Sequence, residues 1–396
     1  MNRQAMAEQA LFQTDEMIQE TGPRLAGTSA SLKAADLLSQ KLEEFADTVE
    51  KEHFFLHKGA FLGWIRILVA AYLLGVLFLW IALPYVTALL LALSLSILIV
   101  QFFYYKPMID KLYPKKTGCN VVGTIEPQGD VTSQIIVSGH HDSARIFNFF
   151  IHQPKLYNLR VTGGIALVVF LLLVSLFQIA TSFPTVDLIL NILVSVGFLL
   201  TGQMWFFASS KGTPGAGDNL IASHMALEIG RHFKQHPLEH TRVIVASFDA
   251  EEEGLRGARA YALAHKDEFQ ETPTTLLNVD CPYYLKDLFF LTTDINGTVK
   301  LSDELAEELV DLAETLGYFA YRQPIAFLTG GTDAAELAKY GVKATTLMAM
   351  PWSNKERASV YHTPDDTVDK IEIEAVAASL DIFIAYIEET DKKARI

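Results

Sequence analysis

The chain has 396 residues, 50% of them hydrophobic, and a mean hydropathy of +0.23, more apolar than an ordinary soluble enzyme. A formal charge of -14 and a pI near 5.2 exclude nucleic acid as a partner, because phosphate binding needs a net basic surface. Cys119 and Cys281 belong to no CxxC or Cys/His cluster, which excludes a structural metal site built on thiolates; they are free to pair, but nothing requires it.

Met1 to Glu20 carries charges throughout and has no apolar core before a small-residue cleavage site, so no secretory signal peptide is expected. Apolar residues at three- and four-residue steps then predict a helix over Ser31 to Phe45. From Arg66 to Lys106 no charged residue intervenes, and Pro84 divides the stretch into two arms, each near the ~20 residues that span a bilayer core. A strand follows at Ser133 to Ser138. The second apolar block, Val161 to Phe183 and Leu188 to Ser210, flanks a short turn, Pro184 to Asp187, and holds no Lys or Arg. Downstream, helices are expected over Leu220 to Lys234, Arg256 to Ala264, Ser302 to Leu316 and Ile373 to Glu388. Strands are expected over Arg242 to Phe248, Thr275 to Val279, Leu288 to Thr292 and Ala344 to Met348.

This alternation predicts an α/β domain with a mixed, largely parallel sheet flanked by helices, interrupted by two transmembrane hairpins. The hairpins occupy residues 61–105 and 161–210; residues 1–60, 106–160 and 211–396 form the catalytic domain, about 300 residues in all. Because each hairpin crosses twice, everything outside the two turns lies on one side of the bilayer. That side carries Lys58, Arg66, Lys106, Lys111, Lys115, Lys116, Lys155, Arg160 and Lys211, whereas the turns carry no cation. The positive-inside rule then predicts an integral membrane protein with four transmembrane helices and a cytoplasmic catalytic domain.

In open α/β sheets ligands bind beyond the carboxyl ends of the strands. There the first predicted strand runs into Gly139, His140, His141, Asp142, where a His can bind a metal while a carboxylate two residues on orients its ring. Such a combination also occurs in ordinary loops. The strand Arg242 to Phe248 ends in Asp249, Ala250, Glu251, Glu252, Glu253, Gly254. Adjacent carboxylates repel, and a cation relieves the repulsion; a solvated acidic loop is the plainer alternative. Asp280 ends another strand, Asp218 follows the glycine-rich stretch Gly212 to Gly217, and Tyr361-His362-Thr363-Pro364 precedes the last helix. Together these residues make a ligand set suited to paired zinc ions.

GHHDS, GAGDN, FDAEEEGLRG, NVD and YHTPDD occur in the order seen in the di-zinc exopeptidase family of bacterial leucyl aminopeptidases, glutamate carboxypeptidases and glutaminyl cyclases, which this chain resembles. The resemblance starts at Gly22 to Thr28, GPRLAGT, and covers nearly all of the sequence outside the hairpins. It implies the zinc exopeptidase fold, here in a membrane-embedded member. It further implies that His362 and Glu252 bind one zinc, that His140 and Asp280 bind the other, and that Asp218 bridges them. Asp142 would orient His140, Glu251 would be the general base, and Tyr361 would stabilise the oxyanion. Gly215 and Gly217 would let the backbone approach the metals, and Asp218-Asn219 would start the following helix.

The sequence also departs from the family. Leu220 and Ile221 stand where members carry small residues, which implies a narrower pocket, and Ala334 stands where a His commonly follows the Asp of the Gly330 to Asp333 motif. His141, Glu253 and His224 read as non-ligands, and His53 and His57 as markers of a membrane interface. The second hairpin enters between Asp142 and Asp218, and Asp218 follows Ser210 by eight residues. At about 3.5 Å per residue, the bridging ligand lies within roughly 28 Å of the end of the apolar block.

The expected activity is hydrolysis of N-terminal residues from peptides, membrane-derived ones included. The alternatives are a carboxypeptidase of the same family, which would need a basic pocket from Arg145, Arg256 or Arg322, a glutaminyl cyclase, or a non-catalytic receptor-like scaffold. The expected partners are a peptide substrate and the lipid bilayer, with the oligomeric state open and a homodimer among the alternatives.

Overall fold

A computed structural model describes residues 2–393, which divide into two compact units: residues 2–58, 115–145 and 211–393, and residues 59–114 and 146–210. In chain order the strands are β1 (Thr48–His57), β2 (Lys115–Ile125), β3 (Ser133–His140), the short β4 (Arg145–Phe147) and β5 (Ala208–Gly212), then β6 (Thr241–Phe248), β7 (Thr274–Pro282), β8 (Leu288–Asp294), β9 (Val299–Lys300), β10 (Tyr321–Pro324) and β11 (Lys343–Ala349).

The first unit is built on a sheet of order β1-β2-β6-β3-β7-β11-β8-β10, with β9 paired to β8. Its centre, β6, β3, β7 and β11, is parallel, and antiparallel pairs flank it at β1/β2, β2/β6 and β11/β8. Central strands of this kind are buried on both faces, which explains the unbroken apolar runs of β3 and β6. The helices Ser29–Glu43, Ile221–Gln235, Arg256–His265, Asp303–Thr315 and Ile373–Lys393 lie within one or two turns of their expected bounds.

Register levels the ends of the strands that carry the chemistry. Ser138 pairs with Asn278, and their side chains share a hydrogen bond of 2.6 Å. Two residues further along, His140 and Asp280 therefore leave the sheet on the same face and at the same height. His140 is also level with Phe248, the last residue before the Asp249 to Glu253 turn.

The second unit consists of four helices long and apolar enough to cross a membrane: Gly63–Trp80, Pro84–Phe103, Pro154–Ala180 and Pro184–Phe206. Each packs against the next, and the fourth returns to the first. Several polar groups of this unit are buried or partly buried between its helices. Tyr72 donates to the Val194 carbonyl at 2.8 Å, Thr87 to the Gly75 carbonyl at 2.8 Å, and Gln178 Nε2 to Asn191 Oδ1 at 2.9 Å. A Cβ on Gly197 would fall 2.5 Å from the Tyr72 hydroxyl, so only glycine admits that contact. Outward stand Leu89, Leu199 and Ile81, which are 63%, 73% and 63% exposed.

Candidate metal centre

His140 closes β3, Asp280 lies near the end of β7, and the turn after β6 brings Glu251 and Glu252 into the same cleft. Ala250 (φ 61°) and Leu255 (φ 59°) bend that turn through the left-handed region. Asp218 and His362 come from loops on the other side. Asp218 stands at their centre. Its Oδ1 lies 3.5 Å from His140 Nε2 and its Oδ2 lies 3.3 Å from His362 Nε2. Glu252 Oε1 is 3.5 Å from His362 Nε2, and Glu251 Oε2 is 3.8 Å from His140 Nε2. Donor atoms of His140, Asp218 and Glu252, of His140, Glu251 and Asp280, and of Asp218, Asp280 and Cys281 form three groups, each within 4.8 Å.

These residues fit metal ions. His140 Nε2 and Asp218 Oδ2 are buried and have no hydrogen-bond partner, an arrangement that costs free energy unless a cation completes it. Burial, with added repulsion from neighbouring carboxylates, pushes the Glu251 and Glu252 carboxyls well above the ordinary range. Asp280 rises to about 6, from burial and then from Asp218. The two imidazoles differ. Burial pulls both down, but Glu251, Asp142 and Asp218 outweigh it at His140 and push that ring well up, whereas His362 falls to about 4. Two imidazoles and two carboxylates around a shared carboxylate are a donor set for zinc.

The surrounding residues hold this set in place. Asp142 Oδ1 lies 3.3 Å from His140 Nδ1, and the two Asp142 oxygens accept the backbone N–H groups of Glu251 and Glu252 at 3.1 and 3.2 Å. The Tyr361 ring centre lies 4.1 Å from that of His362, the two rings tilted by 45°, with the Arg357 guanidinium 5.1 Å from the tyrosine ring centre. Burial pushes the Tyr361 phenol well up, so it keeps its proton at neutral pH.

Of the residues read as non-ligands, His141 is buried with Nδ1 2.8 Å from Ser247 Oγ, and Glu253 faces Arg145 at 3.6 Å. His224 is buried against Thr14 at 2.9 Å. His53 and His57 lie on β1, opposite Cys119 and Lys115, and so belong to the edge of the sheet. Asn219 does not cap the helix expected to follow it. Its amide donates to the Val279 carbonyl at 2.8 Å and its Oδ1 accepts the Cys281 N–H at 3.3 Å, fastening the Asp218 loop to β7, and the helix begins at Ile221 without a side-chain cap. Leu220 and Ile221 are fully buried members of the main core.

Sequence reasoning left out several buried charged residues. Asp249 accepts Ser31 Oγ at 2.6 Å and the Cys119 N–H at 3.0 Å. Asp333 is 1% exposed with both oxygens unpartnered, and its charge acts on Glu251. Its only sequence signal was the Gly330 to Asp333 motif. Arg24 and Asp366, which grip the Asp218 loop, stood inside quoted motifs but nothing in their spacing marked them.

Fold and site together define a zinc exopeptidase architecture. The chain shares its fold with a Zn-dependent exopeptidase from Parabacteroides distasonis (TM-score 0.58, 14% identity, 96% of this chain and 97% of that one). It shares it also with the glutaminyl cyclase of Porphyromonas gingivalis (TM-score 0.58, 14% identity, 97% and 98%) and with BSAP, a zinc aminopeptidase from Bacillus subtilis (TM-score 0.57, 14% identity, 97% and 94%). No curated protein matches the sequence. Residues 196–387 match the model of Peptidase family M28.

Proposed function

We propose that this protein is a membrane-bound di-zinc exopeptidase that removes N-terminal residues from peptides. The observation that carries the reading is the two-sided placement of Asp218, 3.5 Å from His140 through one oxygen and 3.3 Å from His362 through the other. His140 and Asp280 would hold one zinc, His362 and Glu252 the second, with Asp218 shared.

Bound zinc supplies polarisation of the scissile carbonyl and a lowered pKa for water. Glu251, on the His140 side of the cleft, takes a proton from the attacking water and returns it to the leaving amine. Tyr361, holding its proton, donates to the oxygen on which negative charge develops. No covalent nucleophile is needed; the Cys281 thiol is buried and pushed well up, which makes it a poor one.

Three arginines bear on the carboxypeptidase alternative. Arg322 pairs with Asp303 at 2.5 Å and Glu307 at 3.1 Å, Arg256 is 8% exposed, and Arg145 faces Glu253. That all three are paired or buried favours the aminopeptidase reading. The membrane part of the proposal rests on four helices long and apolar enough to span a bilayer, with large hydrophobic residues such as Leu89, Leu199 and Ile81 exposed on their outer faces. The flanking cations, by the positive-inside rule, support a cytoplasmic catalytic unit, and peptides released at the bilayer are the proposed substrates.

Metal analysis of detergent-purified protein, with a panel of aminoacyl substrates and the Glu251→Gln variant, tests the reading. Two zinc per chain, and turnover lost on that change, are expected. Zinc without turnover of any peptide would indicate a receptor. Cyclisation of an N-terminal glutamine peptide with release of ammonia would move the protein to the cyclase class.

A further inference from the structure

An ionised side chain withdrawn from water is tolerated only when its hydrogen bonds are satisfied. Arg24 is fully buried, and it spends its guanidinium on backbone carbonyls. Nε donates to His141 at 2.8 Å, Nη1 to Gly22 at 3.1 Å and Pro214 at 2.9 Å, and Nη2 to Gly215 at 2.7 Å. Its own N–H donates to Ser143 Oγ at 2.9 Å, and its carbonyl accepts the Ser143 N–H at 3.1 Å. Burial lowers its pKa to about 10, with Asp366 and Asp142 opposing the shift, so it stays charged at neutral pH. One residue thus ties the GPRLAGT segment to both the His140 loop and the start of the Asp218 loop.

Asp366, also fully buried, takes hold of the same loop through its amides. Oδ1 accepts the Gly217 N–H at 2.7 Å and the Tyr283 hydroxyl at 2.9 Å, and Oδ2 accepts the Asp218 N–H at 3.3 Å. The Asp366 carbonyl accepts the Ala216 N–H at 3.3 Å. Over five residues, then, the loop has its carbonyls held by a guanidinium and its amides by the Asp366 carboxyl and carbonyl; burial and then Asp218 raise that carboxyl to about 7. The glycines admit these grips: a Cβ on Gly215, at φ +67°, would lie 2.7 Å from Arg24 Nη2, and a Cβ on Gly217 would lie 2.1 Å from the Tyr283 ring.

We infer that Arg24 and Asp366 are a pair of positioning residues that fix the loop bearing the bridging carboxylate, so that Asp218 can face two metal ions at once. The inference rests on the zinc reading above. Neither side chain is among the metal-ligand groups, and both act through the backbone of the five residues that lead up to and include Asp218. A Lys at position 24 offers one compact ammonium in place of a fork reaching four carbonyls, and an Asn at 366 loses one of two amide acceptors.

The test is zinc competition against a chelator on detergent-purified full chain, with Co²⁺ absorption as a second readout, for wild type, Arg24→Lys, Asp366→Asn and Tyr283→Phe. Tyr283→Phe removes one donor to Asp366 and leaves the carboxylate, so it serves if either charge variant fails to fold. Arg24→Lys and Asp366→Asn are expected to hold zinc roughly 10–100-fold more weakly and to shift the Co²⁺ bands, with Tyr283→Phe showing a smaller change in the same direction. A merely structural role would lower the melting temperature and leave metal affinity and the Co²⁺ bands of the folded protein untouched. Folded variants that match a zinc-binding wild type overturn the inference alone. A wild type that retains no zinc removes the proposed function and the inference with it.

Discussion

Asp142 links His140 to the acidic turn: one of its oxygens lies 3.3 Å from His140 Nδ1, while the pair accepts the backbone N–H groups of Glu251 and Glu252 at 3.1 and 3.2 Å. A single carboxylate thereby sets the ring of one proposed ligand and the backbone of a second ligand and the proposed base. Asp142→Asn keeps the shape but can accept only through one oxygen. It is expected to weaken zinc binding roughly 10–100-fold and to lower kcat even at saturating zinc. Chelator competition and steady-state kinetics measure the two effects; unchanged metal affinity would remove Asp142 from this role.

Tyr361 offers a donor without supplying a ligand. Tyr361→Phe keeps the ring in contact with His362, their centres 4.1 Å apart, and removes only the hydroxyl. About a 10²-fold loss in kcat is expected, with zinc content unchanged and KM little affected, because the bond forms chiefly in the transition state. A loss confined to KM would assign the hydroxyl to substrate binding instead.

Stability toward acid should depend on His224. Thr14 Oγ1 donates to the Ala10 carbonyl at 2.8 Å, so the His224 Nδ1–H donates to Thr14, and Nε2 is buried without a partner. Burial lowers this ring from its ordinary 6.5 to about 3. Above pH about 6.5 both folded and unfolded chains hold it neutral; between about 6.5 and about 3 only the unfolded chain takes up the proton. Each pH unit of acidification in that window then removes up to about 1.4 kcal/mol. Unfolding of metal-free protein between pH 7 and 4 should show a shallower acid limb for His224→Gln than for wild type. Equal slopes would rule the histidine out.

Topology gives the fourth test. A reporter inserted in the Pro184 to Asp187 turn is expected to be active only on the non-cytoplasmic side, and the protein is expected to stay in the membrane fraction after an alkaline wash. Cytoplasmic activity of that reporter would invert the orientation; release by the wash would contradict insertion.

Much of the candidate site could be read from the chain because its residues end strands. Strands β3, β6 and β7 are short apolar runs that carry His140 at the end, Asp249 just past the end and Asp280 two residues before the end, and register then levels those ends. The strands β1 and β2 escaped notice. β1 is an edge strand that carries Glu50, Lys51 and Glu52 in succession and so has charges on both faces, and residues 59–114 separate it from its partner, so neither alternation nor a turn signalled the pairing.

Composition and periodicity alone determined the two apolar hairpins, the α/β alternation and the acidic strand ends, because burial and charge repulsion act on neighbouring residues and leave a local pattern. Only the tertiary structure decided that Asn219 fastens β7 rather than capping a helix, and that Arg24 and Asp366 close on the Asp218 loop from segments some 340 residues apart. Their partners are backbone carbonyls and amides, which every residue carries, so no side-chain pattern could announce the contact before the chain had folded.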